Sequence, residues 1–359
     1  MEDIKSFHCP CCGAPLVFSG GKQKLHCESC GNDFEPDAVR EFAEDDERTK
    51  ADSKYDWTDY EPRKFGAAEG RMLASYSCPS CGAEITGDIN MGTFICPYCG
   101  NSAVVMHTFS GAYMPDYVIP FRIDKKEAMK RFLDNAKGKI FIPKQFKESA
   151  KLKEISGMYV PFWMFDCDVT GEATFRGIRA RSWSDGSYNY TRHDHYMLYR
   201  SGSAVFKNVP VDASTRAEDQ YMDSLEPFDY NDAMDFSTAY LAGYLADKYD
   251  VSAEESIKRA NERIKQSFAD MLRSTTAGYG TVSVNGTRVE FSNGRIRYAL
   301  MPVWWLNIKY KDKMYRFAMN GQTGKAVGDY PVSRSKLAAF FCGTFAVLGA
   351  AAAAIWYFI

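Results

Sequence analysis

Residues 337–359 read LAAFFCGTFAVLGAAAAAIWYFI, a stretch of 23 residues without a single charge. As an α-helix it would be roughly 34 Å long, which is enough to cross the hydrocarbon core of a bilayer. A helix satisfies its own backbone hydrogen bonds, as lipid requires, whereas a buried core helix is rarely apolar over so long a run. Arg334 and Lys336 precede the stretch, and such cations favour the cytoplasmic side. The sequence therefore predicts a single-pass protein of the cell membrane with its amino-terminal body in the cytoplasm.

The 359-residue chain is long enough for two or three domains including the membrane anchor, and its 45% hydrophobic and 14% aromatic residues suffice for a folded core. The formal net charge of −2 gives no overall attraction to nucleic acid or anionic lipid. The first residues, MEDIKSFHCP, contain no apolar signal segment. In a reducing cytoplasm the eleven cysteines are not expected to form disulfides.

Eight of the cysteines form four C-x2-C pairs, grouped in two sets of matching spacing. Residues 9–31 read CPCCGAPLVFSGGKQKLHCESCG, and residues 78–100 read CPSCGAEITGDINMGTFICPYCG. Four thiolates are the ligand set of a structural, tetrahedral zinc ion with no open position for catalysis. The sequence thus predicts two zinc ribbons with two structural Zn²⁺ ions, bound by Cys9, Cys12, Cys27 and Cys30 and by Cys78, Cys81, Cys96 and Cys99.

The residues around these cysteines predict how each ribbon is built. A glycine follows the second cysteine of every pair, where the turn can require a positive φ (Gly13, Gly31, Gly82 and Gly100). Residues 16–18 and 93–95 are expected to be short strands between the pairs, and Cys11 is expected to be a spare thiol. Zinc would supply on the order of 10 kcal/mol of folding free energy to so small a module.

The charges of the ribbons favour protein contacts over nucleic acid. Residues 78–105 contain no Lys or Arg, which phosphate neutralisation would require. The first ribbon has Lys22 and Lys24, but Glu28, Asp33 and Glu35 offset them. Nucleic-acid binding is therefore expected to be absent.

We predict an α+β fold with two small ribbons, antiparallel sheets and internal β repeats, and one transmembrane helix. The predicted segments are a first ribbon (1–34), an acidic flexible linker (35–74), a second ribbon (75–106), a cytoplasmic α+β body (107–332) and the transmembrane helix (337–359). The linker is rich in acids and poor in aliphatics. Trp57 and Tyr60 within it allow the alternative of a short docking motif.

Within the body, helices are predicted from Asp124 and Pro143, and over residues 231–275 with a capping box at Ser252 and Glu255. Strands are predicted at 157–165 and 169–183, followed by a hairpin turn at 185–186. Residues 279–330 predict an antiparallel meander with Asn-Gly turns at 285–286, 293–294 and 320–321. Residues 159–166 and 300–307 resemble each other, which makes Trp163, Trp304 and Trp305 expected core anchors.

No sequence motif predicts an enzyme or a small-molecule substrate. The chain has no G-x-S-x-G and no H-E-x-x-H, and residues 320–326, NGQTGKA, lack the features of a phosphate-binding loop. His193 and His195 are expected on one face of a strand, where they lack a third metal ligand. Asp166 and Asp168 are expected to be ordinary polar positions on another strand.

Several further motifs carry a resemblance: VPVDAS at 209–214, SLEPF at 224–228, YLAGY at 240–244, PVWW at 302–305 and MNGQTGK at 319–325. With the ribbons, they resemble a family of bacterial, Firmicutes-type, membrane-anchored double zinc-ribbon proteins. Members often carry labels such as TFIIB-type zinc-ribbon protein or replication-restart helicase (PriA-like), although this chain lacks a helicase motor. The resemblance implies a platform for SPFH or phage-shock-protein-A-like envelope proteins.

Two functions are expected to be distinguishable by experiment. The first is a non-enzymatic membrane adaptor or scaffold, whose ribbons hold protein partners at the lipid bilayer. The second is a membrane-tethered zinc-ribbon regulator that binds nucleic acid, with an affinity that falls steeply as salt increases.

Overall fold

The computed structural model describes residues 7–66, 70–89, 95–101, 105–108, 113–151, 155–217, 219–311 and 313–358. The predicted α+β class is confirmed. The chain divides into two compact units. Unit 1 comprises Met1–Asp59, Phe165–Val209 and Ile257–Ile296, and unit 2 comprises Tyr60–Met164, Pro210–Ser256 and Arg297–Ile359. Each unit therefore contains one of the two cysteine sets.

The described helices are α1 (Pro36–Lys50), α2 (Lys125–Lys137), α3 (Lys144–Lys151), α4 (Asp219–Leu225), α5 (Ala253–Ser274) and α6 (Arg334–Phe358). The short strands before α2 are β1 (Val17–Ser19), β2 (Lys24–His26), β3 (Asp33–Phe34), β4 (Arg63–Lys64), β5 (Leu73–Ser77), β6 (Glu84–Asp88), β7 (Val105–Thr108), β8 (Tyr113–Met114) and β9 (Tyr117–Val118). The later strands are β10 (Ser156–Ser184), β11 (Asn189–Asp212), β12 (Met234–Asp235), β13 (Leu245–Asp247), β14 (Thr281–Tyr310), β15 (Lys313–Asn320) and β16 (Ala326–Gly328).

The expected flexible linker at 35–74 is replaced over its first part by α1 in unit 1. Pro36 at the first helical position favours the start, and ion pairs three or four residues apart, such as Lys50 with Asp46, hold the exposed face. Val39 is buried, and the buried Thr49 hydroxyl lies 3.0 Å from the hydroxyl of Thr174. The acidic residues that suggested a solvated segment thus form ion pairs on the exposed face of a helix, and tertiary contacts hold that helix in place.

Trp57 packs inside unit 1. Its indole N–H donates to the side-chain oxygen of Asn261 at 2.9 Å, and its ring packs edge-on against Phe165 and Phe291. The alternative of an exposed docking motif at Trp57 therefore does not fit the structure, since this side chain is already engaged. Tyr60 packs against Trp163 in unit 2.

The predicted turns at 285–286 and 293–294 are wrong, because β14 runs through both positions. The glycines are required by close packing within unit 1. A Cβ atom at Gly286 would lie 2.5 Å from the hydroxyl of Thr49, and one at Gly294 would lie 2.1 Å from the carbonyl oxygen of Asp56. These glycines therefore let residues 49–57 approach the strand.

Helix prediction succeeded for α2 and α5. Asp124 caps α2 by accepting the N–H of Glu127 at 2.7 Å. Ser252 and Glu255 form the reciprocal capping box before α5. The N–H of Ser252 donates to the carboxylate of Glu255 at 2.8 Å, and the N–H of Glu255 donates to the hydroxyl of Ser252 at 3.2 Å. Residues 230–247, however, form short 3-10 turns and the strands β12 and β13 rather than helix. Side-chain caps at Asp229 and Ser237 start those turns in place of the predicted helix.

The large sheet in the described residues has the order β12-β9-β14-β10-β13-β6-β5-β7, with β11 beside β10 and with β15 and β16 extending from β14. Within unit 2, β14 and β15 form an antiparallel pair, whereas β14 with β9 and β10 with β13 are parallel. Trp304 and Trp305 are buried in two different hydrophobic clusters, because neighbouring residues of a strand point to opposite faces. Trp163 is also buried, so all three predicted anchors are confirmed.

Helix α6 is long and apolar enough to cross a membrane, and it is the one such helix in the described part of the chain. The side chains of its apolar span are exposed. Near its start, Lys336 donates to the carbonyl oxygens of Ile140 and Ile142 at 3.3 and 2.8 Å. The base of α6 is thereby attached to the folded part of unit 2.

Candidate metal centres

All four C-x2-C pairs fold into the same turn. The glycine after the second cysteine donates its N–H to the carbonyl oxygen of the first cysteine, at 2.8 to 2.9 Å. The backbone N–H of the first cysteine donates to the carbonyl oxygen of the residue that follows the glycine, at 2.7 to 2.9 Å. The four glycines have φ between 71° and 77°, which confirms the prediction for Gly13, Gly31, Gly82 and Gly100. The repeated turn points backbone N–H groups at the sulfur atoms.

Two of these turns meet in each unit and bring four sulfur atoms together. Cluster 1 consists of Cys9, Cys12, Cys27 and Cys30, and cluster 2 consists of Cys78, Cys81, Cys96 and Cys99. Within each cluster all Sγ atoms lie within 4.8 Å of one another, so each cluster could hold a metal ion. The nearest sulfur pairs are 3.5 and 3.6 Å apart in cluster 1 and 3.6 and 3.7 Å apart in cluster 2. All eight thiols are free of disulfides.

Cluster 1 belongs to a small three-stranded antiparallel sheet, β1-β2-β3, in unit 1. The strand predicted at 16–18 is observed one residue later, as β1 at Val17–Ser19. Burial raises the pKa of the Cys9 thiol, whereas the backbone N–H of Asn32 lowers the pKa of Cys30 to about 6. The cluster therefore offers a ready thiolate at its surface and a thiol at its base that needs a cation to lose its proton.

Lys22 and Lys24 of the first ribbon are each paired with an acid. Lys22 lies 2.8 Å from Asp33, and Lys24 lies 2.8 Å from Glu35. The Lys22 ammonium and the His26 ring lower the pKa of the Asp33 carboxyl. The positive charge of this ribbon is thus largely neutralised within the ribbon itself.

Cluster 2 is built into the sheet of unit 2. Strand β5 pairs with β6 and β7, and β6 pairs with β13 far along the chain. Burial opposes ionisation of Cys78, but the N–H groups of Cys81 and Ser80 outweigh it and lower the pKa of Cys78 to about 7. Burial raises the pKa of Cys96. The predicted strand at 93–95 lies mostly outside the described residues.

Side chains distant in sequence hold the second ribbon in place. The hydroxyl of Tyr98, inside the second knuckle, donates to the buried carboxylate of Asp247. The hydroxyl of Ser214 donates to the same carboxylate oxygen at 2.6 Å. The side-chain amide of Asn307 donates to the carbonyl oxygen of Pro97 at 2.5 Å. Sequence reasoning missed these residues, because nothing local to Asp247 or Asn307 indicates a partner far along the chain.

The other candidate residues do not converge on a site. His193 and His195 are exposed on β11, and the intervening Asp194 pairs with Arg192 at 2.6 Å. Asp166 accepts the backbone N–H of Asn208, and Asp168 accepts the side-chain amide of Asn293. These acids hold strands of unit 1 together.

Residues 320–326 form the turn between β15 and β16. The buried Asn320 accepts the N–H groups of Gln322 and Thr323 and donates to the carbonyl oxygen of Leu225. Its side chain therefore shapes the turn itself.

Cys11, the additional cysteine of the first knuckle, lies beside a cavity of about 430 Å³ in unit 1. The cavity is open and is also lined by Phe34 of β3, Val39 of α1 and Leu198 of β11. Burial raises the pKa of the Cys11 thiol, so it is less reactive than an exposed cysteine. Cys11 is not a member of cluster 1.

A comparison with known proteins gives one informative match. The uncharacterized protein YdjG of Bacillus subtilis (strain 168) is 35% identical to this chain, in an alignment that covers 76% of this chain and 94% of YdjG. No protein-family model matches the chain. No solved structure matches it either.

Proposed function

We propose that this chain is a non-enzymatic, membrane-anchored zinc-ribbon adaptor that docks protein partners at the cytoplasmic membrane. The chain belongs to the family of the uncharacterized Bacillus subtilis protein YdjG. The observation that carries the proposal is the closure of both cysteine clusters. All four sulfurs of each cluster point to one centre, which leaves no position for a substrate. A closed metal centre serves to hold a surface in shape, and α6 would hold that surface at the membrane.

Zinc fits the sulfur positions. In a tetrahedral site with Zn–S distances of about 2.3 Å, neighbouring sulfurs are about 3.8 Å apart. The nearest sulfur pairs in the two clusters are 3.5 to 3.7 Å apart. Four thiolates without histidine or carboxylate ligands also suit a soft, redox-inactive structural ion.

The first ribbon offers the surface for a protein partner. Val17 and Phe18 follow one another on β1, so their side chains lie on opposite faces of the hairpin, and each is 53% exposed. Exposed apolar side chains on a rigid, metal-held hairpin are suited to a protein interface. The resemblance to membrane-anchored zinc-ribbon proteins suggests SPFH or phage-shock-protein-A-like envelope proteins as the partners.

The alternative function, a tethered nucleic-acid-binding regulator, has less support. Lys22 and Lys24 of the first ribbon already pair with Asp33 and Glu35. Binding phosphate would require breaking those pairs, and the second ribbon has no basic residue to add.

The test is a crosslinking pull-down of the tagged full-length protein from detergent-solubilised membranes. The variant Val17→Ser/Phe18→Ser removes the apolar surface of the first ribbon without touching a cysteine. The matched control, Val205→Ser/Val284→Ser, removes two other exposed valines of unit 1. We expect the first variant to lose a small set of membrane proteins that the wild type and the control retain. Recovery of nucleic acid or RNA polymerase in place of membrane proteins would contradict the adaptor.

A further inference from the structure

A basic groove lies at the foot of α6 in unit 2. It has a volume of about 830 Å³ and opens between the start of α3, the turn from β14 to β15, and the segment that leads into α6. Five of the side chains that line it are cationic, namely Lys144, Lys311, Lys313, Arg334 and Lys336. No carboxylate lines it among the described residues, which do not include Asp312. The groove is therefore strongly positive in a chain whose net charge is −2.

Three of the five cations of the groove contact neutral groups of the protein. Lys336 donates to two backbone carbonyl oxygens, at 3.3 and 2.8 Å. The ammonium groups of Lys311 and Lys313 lie over the rings of Tyr310 and Tyr315, at 5.7 and 5.5 Å from the ring centroids. None of the five cations forms a salt bridge with another described residue of the chain. Among the described residues, no carboxylate therefore offsets the positive charge of the groove.

The groove is continuous with the helix that is able to span a membrane. Arg334 and Lys336 belong to both the groove and the first turn of α6, whose N-terminal end adds a partial positive charge. Beside them, Ile140 and Val332 expose 62% and 59% of their surfaces, and Phe141 packs edge-on against Phe340 of α6. An apolar rim next to a basic groove matches the boundary between acyl chains and headgroups.

We propose that this groove binds the headgroup of an anionic phospholipid. The phosphate would lie among the cations, Tyr310 and Tyr315 would lie at headgroup level, and the acyl chains would follow α6. The proposal goes beyond the adaptor function, because it needs no protein partner and involves neither cysteine cluster. It requires only that α6 crosses the bilayer, so that the groove lies at the membrane surface.

The test is native mass spectrometry of the full-length protein in neutral detergent, titrated with dioleoylphosphatidylglycerol or with dioleoylphosphatidylcholine. The wild type is expected to retain phosphatidylglycerol at least tenfold better than phosphatidylcholine. Lys311→Gln/Lys313→Gln/Arg334→Gln should reduce that preference by a factor on the order of 10 to 100, since each basic residue near an anionic lipid contributes roughly fivefold. The control Lys207→Gln/Lys258→Gln/Arg295→Gln removes three exposed cations outside the groove and should leave the preference unchanged.

Two further arms exclude a folding defect and a soluble ligand. Lys311→Arg/Lys313→Arg keeps the charge and should keep the preference for phosphatidylglycerol. Inorganic phosphate at millimolar concentration should not displace the lipid. Equal retention of both lipids by the wild type, equal loss in the groove and control variants, or complete displacement by inorganic phosphate would each overturn the proposal.

Discussion

The two ribbons have the same ligands, the same spacing and the same knuckle geometry, yet the structure uses them differently. The first ribbon forms its own three-stranded sheet, exposes Val17 and Phe18, and has Lys22 and Lys24 paired with Asp33 and Glu35. The second ribbon joins a large sheet through the pairing of β6 with β13, and the side chains of Asp247 and Asn307 hold it. The same cysteine motif therefore specifies the same local turn, while the surrounding chain decides whether that turn joins a small sheet or a large one.

The largest expected effect comes from removing cluster 2. Cys78→Ser/Cys81→Ser should destabilise unit 2 by several kcal/mol, because β6 and β13 lose the metal-held knuckle beside them. Hydrogen exchange should then show lost protection at β6 and β13. The matched variant Cys9→Ser/Cys12→Ser should lose protection mainly within residues 7–34. Equal and widespread loss of hydrogen-exchange protection in both variants would contradict the distinction between the ribbons.

A smaller effect is expected from Asp247→Ala. The substitution leaves the buried hydroxyls of Tyr98 and Ser214 without their acceptor, which should cost about 3 kcal/mol of unfolding free energy. Chemical denaturation of the zinc-loaded protein measures this cost. Asp235→Ala, at an exposed position of unit 2, should change the stability little. If Asp247→Ala were as stable as the control, the conclusion that Asp247 holds the second ribbon in place would be wrong.

Gly294→Ala tests the packing of the segment that follows α1 against β14 in unit 1. A methyl group there would lie 2.1 Å from the carbonyl oxygen of Asp56, so the strand or the segment must move. We expect a loss of about 1 to 3 kcal/mol of unfolding free energy. Gly20→Ala, which meets nothing within 4 Å, should have almost no effect on the thermal midpoint. A neutral Gly294→Ala would contradict the close approach of Asp56 to this strand.

The smallest effect is expected from Lys22→Gln/Lys24→Gln. Exposed ion pairs contribute little to stability, so the thermal midpoint should remain within experimental error. Recovery of membrane partners should also be unchanged in a pull-down. Loss of bound nucleic acid from this variant, relative to the wild type, would show that the lysines contact phosphate.

The sequence predicted what local chemistry determines. Cysteine spacing located both clusters, glycine after each pair predicted the positive φ, and an uncharged run located α6. The errors occurred where distant contacts override local pattern. The contact between the hydroxyls of Thr49 and Thr174 helps to hold α1, and position 286 requires glycine because Thr49 packs against it. The same reason hid Asp247, since its partner Tyr98 is 149 residues away.

The most direct test of two independent, closed metal centres is the metal content of the purified full-length protein, measured by inductively coupled plasma mass spectrometry. The account predicts two zinc ions per chain in the wild type, one for each cysteine cluster. It predicts one zinc ion in Cys9→Ser/Cys12→Ser and one in Cys78→Ser/Cys81→Ser. A single ion in the wild type, a stoichiometric content of another metal, or loss of both ions from Cys9→Ser/Cys12→Ser would contradict it.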